Sequence, residues 1–450
     1  MIRSAAILRV SIFVIAALGR SCSHEPSSSS GDGPAASAAP ASPGDREAKG
    51  SGAEGARVQP GVPAPSQDPS STPAPLPDEK FEGGARAFDA ARRALLTKYV
   101  DPTITEDRLY AAAVRGMLEY ADPKMAKWNA LLSPSEVLAI KSDLHGEVVG
   151  IGVKFEFKPE SGYSDVIAVI PGSPADRAGL LAGDRIVTID GRFYKAKTAL
   201  DVASAIRGKA GDTVSLAILR EDKMLTVPIQ RAAFGFDPVA RIGLPDGIAL
   251  VRIASFTEKT AAALRAALDG AGADHARGLV VDLRHNPGGL FDAAAQCAGM
   301  LSPAGSTIVM TKHRDGSEDS EVAKEQPLLA DRPLAVLVDD QTASGAELMT
   351  AALRASRHAA VVGGHTFGKW SVQKIEELGN GFAMKYTVSL FEAPDHKTYD
   401  GAGLAPDVEV SMDAKQIEKA QSISDPEKRI AADAQLRTAI ALLKARLEGR

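Results

Sequence analysis

Cysteine is nearly absent. Among 450 residues only Cys22 and Cys297 carry a thiol, which excludes a disulfide framework and any cysteine-rich zinc site. The eight histidines form no H-x-H or H-E-x-x-H pair, so the ligand spacing of a zinc hydrolase is missing as well. Neither a metal nor a cofactor is expected. There is no excess of positive charge: 52 basic residues against 57 acidic ones leave a net charge of −5, and nothing in the composition argues for a nucleic-acid partner. No G-x-S-x-G turn occurs, so the usual elbow of a Ser-His hydrolase is absent from the sequence. What is present, 44% hydrophobic and 24% charged residues, suits a soluble globular chain with roughly three domains.

The apolar stretch from Ala5 to Leu18 is short of the about 20 residues that a membrane span needs. With Arg3 before it and small residues after it, residues 1–22 read as an export signal. Cys22 follows in Leu18-Gly19-Arg20-Ser21-Cys22, which resembles a bacterial lipobox and makes Cys22 a candidate for lipidation. The resemblance implies an exported protein on the periplasmic or envelope side of a bacterial membrane, tethered through Cys22. A plain signal peptide with an incidental cysteine is the alternative. Residues 23–77 contain 11 of the chain's 27 prolines and no aromatic residue. Such a tract cannot bury enough apolar surface to offset its chain entropy, and it is expected to be a disordered tether.

The folded body is expected from residue 78. Residues 78–141 read as a helical region, with helices over Phe81–Leu96 and Glu106–Tyr120 and a third starting at Ser133-Pro134-Ser135-Glu136. Residues 142–232 read as mostly strands, with a helix from Thr198 to Arg207. In residues 233–412 the apolar strands Gly278–Leu283 and Leu334–Val338 alternate with helices, which argues an α/β core around a buried sheet. Residues 413–450 read as a helical tail, charged on one side, that packs on the body or on a second subunit.

The run Gly172-Ser173-Pro174-Ala175-Asp176-Arg177-Ala178-Gly179, continued by Gly183-Asp184-Arg185-Ile186-Val187, resembles a PDZ domain. Such domains add an extended peptide as a strand and hold its terminal carboxylate with backbone N–H groups. The resemblance implies a carboxylate-binding loop at Gly150, Ile151, Gly152 and Val153. No histidine starts the helix at 198–207, so polypeptides with apolar C-termini are the expected ligands. Four further pieces stand in the α/β region: Asp282-Leu283-Arg284-His285-Asn286-Pro287-Gly288-Gly289, Thr342-Ala343-Ser344-Gly345-Ala346-Glu347, Thr366-Phe367-Gly368-Lys369-Trp370-Ser371-Val372-Gln373 and Gly401-Ala402-Gly403-Leu404-Ala405-Pro406-Asp407-Val408. Together with the PDZ-like unit they resemble the carboxy-terminal processing (tail-specific) serine protease family, over roughly residues 79–412. The family has an α/β crotonase-like core.

The resemblance implies Ser344 as nucleophile, Lys369 as general base and Gln373 as the residue that orients the lysine. It also implies an oxyanion hole from Gly345 and the pair Gly288-Gly289. The chemistry is coherent: a serine hydroxyl needs an adjacent base, and a lysine serves only if burial strips its proton. Phe367 and Trp370 are expected to supply the dry wall. Four residues separate Gln373 from Lys369, which puts both on one face of a strand. Read singly, each motif has a bland meaning. Ser344-Gly345-Ala346-Glu347 is a capping box, Lys369 a surface lysine, Gln373 a solvated strand residue, and Asn286-Pro287-Gly288-Gly289 a tight turn. The sequence departs from the family at Ala346, where serine is usual, and at Trp370, where glycine is usual and where a large side chain crowds the substrate groove. Gly363-Gly364-His365-Thr366-Phe367-Gly368-Lys369 fits a phosphate-binding loop, but Trp370 replaces its hydroxyl residue. The alternative function left open is a scaffold with an inactive protease fold that binds C-termini. The oligomeric state is not fixed by the sequence.

Overall fold

The computed structural model describes residues 80–449 except 122–127, 159, 171, 196–198 and 236. The apolar stretch 5–18, Cys22 and the proline-rich tract lie outside the described residues. The chain divides into two compact units, residues 19–106 and the remainder. The described part of the smaller unit, residues 80–106, holds the helix Gly84–Lys98, on which Asp89 pairs with Arg92 and Arg93. It starts three residues later than the apolar pattern suggests. Gly83 takes a left-handed φ of 65°, which prevents the helix from running back to Phe81.

In the larger unit the helix Pro134–Leu144 is fixed by a complete capping box. Ser133 accepts from the Glu136 N–H, and Glu136 accepts from the Ser133 N–H. Next comes a five-stranded antiparallel sheet in the order Val153–Lys158, Tyr163–Val169, Arg185–Ile189, Thr213–Arg220, Lys223–Gln230. Its core is its own. Val214, Leu216 and Ile218, two residues apart, turn one face of their strand inward onto Ile151, Leu180, Ile186 and Val202. Val202 belongs to the helix Ala199–Ile206. The chain arriving at this unit and the chain leaving it pair as Glu147–Gly150 with Ala232–Gly235, a two-stranded neck.

The third region holds two sheets. In the first, Val408–Glu409, Ala360–Gly363, Leu334–Val338, Gly278–Asp282 and Ile248–Ile253 are parallel neighbours, and Val239–Leu244 closes the edge antiparallel. The central strands are buried on both faces, as parallel sheets are. Leu279, Val281, Val336 and Val338 face the helices Thr260–Ala273, Phe291–Leu301 and Gly345–Arg357. Val280, Ala335 and Leu337 face Leu436, Ala439, Ile440 and Leu443. These belong to the helix Ala434–Glu448, so the tail packs on the body. The second sheet is antiparallel. Ala383–Glu392 pairs with Ser371–Glu377 along one edge, and with Ala130–Leu132 and Thr307–His313 on the other.

Candidate active site

The strand Leu334–Val338 ends in a short loop from which the helix Gly345–Arg357 departs, and Ser344 is the residue between. Its backbone has φ 55° and ψ −117°, a region that L-residues other than glycine seldom enter and that costs about 1–3 kcal/mol. A serine that caps a helix instead has extended backbone and points its oxygen at the first turn. Ser344 is only half of a capping box: Glu347 accepts from the Ser344 N–H at 2.9 Å. The buried Ser344 hydroxyl makes no hydrogen bond among the described residues. The turn therefore has the strained strand-to-helix form of a nucleophile elbow without its G-x-S-x-G sequence.

Glu347 ties this turn to Lys369. Its Oε2 accepts from the Ser344 N–H and, at 2.8 Å, from the Lys369 N–H. Its Oε1 accepts from the Gly368 N–H at 2.8 Å and from the Thr366 hydroxyl. One carboxylate oxygen thus sits between the backbone nitrogens of Ser344 and Lys369. Burial pushes the Glu347 carboxyl above its usual range, against the pull of these four donors.

The Lys369 side chain is wholly buried. Burial, followed by the positive charge of Lys385, pushes its amine down to about 7, with Glu347 and Asp400 pulling the other way. The Trp128 ring centroid lies 5.2 Å from Nζ, and Trp128 meets Phe367 edge to face at 5.8 Å. Trp370 does not form the wall. It is fully buried in the core, with ring centroids 4.8 Å from Phe391 and 5.1 Å from Tyr399, so it does not crowd a groove either.

Gln373 is buried, and its amide donates to Ser371 Oγ at 2.9 Å and Thr387 Oγ1 at 3.3 Å. Simple alternation does not place it. Lys369 precedes the strand, and the pairing slips between Val372 and Gln373.

The loop His285–Gly289 lies beside Ser344. A side chain on Gly288 would stand 2.9 Å from Ser344 Cβ, and one on Gly289 would stand 2.1 Å from the Phe256 carbonyl oxygen. Both glycines have positive φ, 98° and 140°. The Gly288 N–H already donates to Asn286 Oδ1 at 2.8 Å. Of the expected donor pair, Gly288 therefore already has an acceptor within its own loop. Before the loop, Arg284 is fully buried between Asp282 and Asp433, 2.8 Å from each, with Gln435 at 3.0 Å. Burial alone would raise the Asp282 carboxyl, but Arg284 beside it holds it below the usual range. His285 donates its N–H to Asp339 and rests its ring 3.1 Å from the same carboxylate.

In the strand-rich unit the loop Gly150-Ile151-Gly152-Val153 spends its carbonyls inward. Ile151 accepts from the Ala175 N–H at 2.7 Å, and Gly152 from the Ile170 N–H at 2.9 Å. The strand Val153–Lys158 is one of the sheet's two outer strands. Sequence reasoning missed Glu347 as a bridge, Trp128 as a cover and Asp433 as the partner of Arg284. The glutamate at the third helical position was visible, but a cap explained it. Trp128 and Asp433 come from distant segments that no local pattern connects to the site. Among the described residues no cluster of three or more His, Cys, Asp or Glu could hold a metal ion.

Residues 247–410 match the model of peptidase family S41, and residues 166–220 match that of the PDZ domain. The chain is 34% identical to the carboxyl-terminal-processing protease of Picosynechococcus sp. over 311 residues, 68% of this chain and 74% of that one. It is 29% identical to the carboxy-terminal processing protease CtpA of Bacillus subtilis, over 74% of this chain and 70% of that one. A crystal structure of a putative S41 protease from Bacteroides fragilis is similar in fold, with a TM-score of 0.51 at 17% identity, covering 83% of this chain and 99% of that one.

Proposed function

The chain belongs to peptidase family S41, with the carboxyl-terminal processing proteases, and from that premise we propose that it hydrolyses peptide bonds near the C-termini of exported polypeptides by a Ser344-Lys369 mechanism. The observation that carries this reading is the elbow. An unbonded serine hydroxyl is held in strained backbone, one carboxylate away from a buried lysine. A binding scaffold has no use for that arrangement, which is why the scaffold alternative is not favoured.

With its amine near 7, about half of Lys369 is neutral at pH 7, against fewer than about one in a thousand for a free lysine. The neutral amine takes the Ser344 proton as Oγ attacks the scissile carbonyl carbon. Negative charge then gathers on the carbonyl oxygen, where the N–H groups of Gly345, at the helix start, and Gly289 serve as donors. The Lys369 ammonium returns its proton to the leaving nitrogen as the C–N bond breaks, leaving an ester on Ser344. Water attacks the ester, its proton passes to the amine, and Ser344 recovers its hydrogen as the carboxylate product departs. Gln373 adds no charge beside the base, where a carboxylate would keep it protonated.

The PDZ-like unit supplies recognition. The outer strand Val153–Lys158 accepts the substrate tail as an added strand, and the N–H groups of the loop at 150–153 hold its terminal carboxylate. The basic and apolar start of the chain supports export, with Cys22 as the lipid attachment point. Ser344→Ala and Lys369→Ala are each expected to lower turnover of an unstructured polypeptide by at least about 10³-fold. Amidation of the substrate's C-terminus should slow the unmodified enzyme. Retained activity in either variant contradicts the mechanism, and equal rates on free and amidated tails contradict the recognition.

A further inference from the structure

The catalytic motifs do not account for what covers the Lys369 amine. Its neighbours in the chain do not: Trp370 faces the core, and Phe367 is 41% exposed. The cover comes from the segment that leads into the strand Ala130–Leu132, which pairs with Ala383–Lys385. Trp128 lies with its ring centroid 5.2 Å from Lys369 Nζ and braces against Phe367. Asn129 Oδ1 accepts from the Thr387 N–H at 3.1 Å and from its hydroxyl at 3.4 Å. Thr387 Oγ1 in turn accepts from the Gln373 amide. One short segment therefore touches the lysine directly and the glutamine through a single hydroxyl.

We propose that Trp128, anchored through Asn129, is a positioning residue for the base, a strap whose indole face keeps water off the Lys369 amine. This rests on Lys369 being the base. The ring acts in two opposed ways. Its face attracts an ammonium and so favours the charged form, while excluding water favours the neutral amine. Exclusion is the larger effect, because the amine is wholly buried and the ring centroid is near the outer limit, about 6 Å, of such an attraction. The other charges that face the amine are Lys385 from the strand Ala383–Glu392, Glu347 from the helix Gly345–Arg357, and Asp400. Glu136, from the helix Pro134–Leu144, faces Lys385. A substitution at Trp128 alters none of them.

The test is the pH profile of kcat/KM for the full chain on a fluorogenic peptide with a free, apolar C-terminus. Trp128→Ala should move the rising limb to higher pH by about one unit and lower the rate at pH 7 about fivefold, mainly in kcat. Trp128→Leu, which keeps water out without an aromatic face, should leave the limb at or slightly below its original position, and Trp128→Phe should restore most of the rate. Asn129→Ala, which frees the strap but keeps the ring, should move the limb upward by less and stands in if Trp128→Ala does not fold. An unmoved limb in folded Trp128→Ala and Asn129→Ala overturns the proposal. Lys369→Ala in the same assay separates the two claims. If it stays active, the base assignment is wrong. If it is dead while the Trp128 and Asn129 variants keep the original limb, only the strap is wrong.

Discussion

Ser344 follows a strand buried on both faces and the short loop after it, whereas Lys369 precedes a strand whose first residues are buried and whose last are exposed. The serine's half is fixed through backbone: a strained turn, two glycines pressed against Ser344 and Phe256, and a buried ion pair below the loop. The lysine's half is fixed by enclosure: an amine under an indole, beside a second lysine that makes protonation harder. The difference teaches where each kind of damage should appear. Variants on the serine side should cost rate and stability without moving the pH profile. Variants on the lysine side should move it.

The largest expected effect is on stability. The Lys369 amine stands near 7 in the folded chain against an ordinary 10.5. Burying it therefore opposes folding fully below pH 7, and the cost fades as pH rises toward 10.5. At about 1.4 kcal/mol per pH unit, the opposition at pH 7 is on the order of 5 kcal/mol. Lys369→Met should thus unfold at higher denaturant than the parent at pH 7, by a margin that shrinks toward pH 10, while losing activity. A variant less stable than the parent at pH 7 would contradict a destabilised base. Next is Asp433→Ala, which leaves Arg284 buried with one partner fewer. Denaturant unfolding should show a loss of about 3–5 kcal/mol, and whatever activity survives should keep its limb in place.

Glu347→Gln crosses the boundary between the halves. It puts an amide where four donors converge, so kcat should fall about 10–100-fold. It also removes a negative charge that favours the ammonium, so the limb should move to lower pH. The smallest expected effect is that of Gln373→Glu. The new charge beside the base should move the limb to higher pH by about one unit with little change in unfolding. An unmoved limb would place residue 373 outside the reach of the base.

Much of this was legible from local pattern. The continuous apolar runs Gly278–Leu283 and Leu334–Val338 announced a buried sheet, and Ser133 with Glu136 announced a helix start. Ser344 with Glu347 shows the limit of such reading. The same S-x-x-E spacing that caps one helix here serves an elbow, and only the backbone angles tell the two apart. Trp370 shows that a neighbour of Lys369 in sequence need not line the groove, since its ring packs into the core with Phe391 and Tyr399. The Trp128 cover and the Asp433 clamp were not legible at all. They depend on tertiary pairing between segments remote from the motifs.

The central claim is that a buried, neutral lysine activates Ser344, and the most direct measurement is the pH dependence of kcat/KM for the unmodified chain on an unstructured peptide, which reports the free enzyme's ionisations. The account predicts activity that rises through an apparent value near 7, as set by the enclosure of Lys369, with the limb moving upward in Gln373→Glu and disappearing with the activity in Lys369→Ala. A limb near 10, or a limb near 7 that survives in an active Lys369→Ala variant, would contradict it.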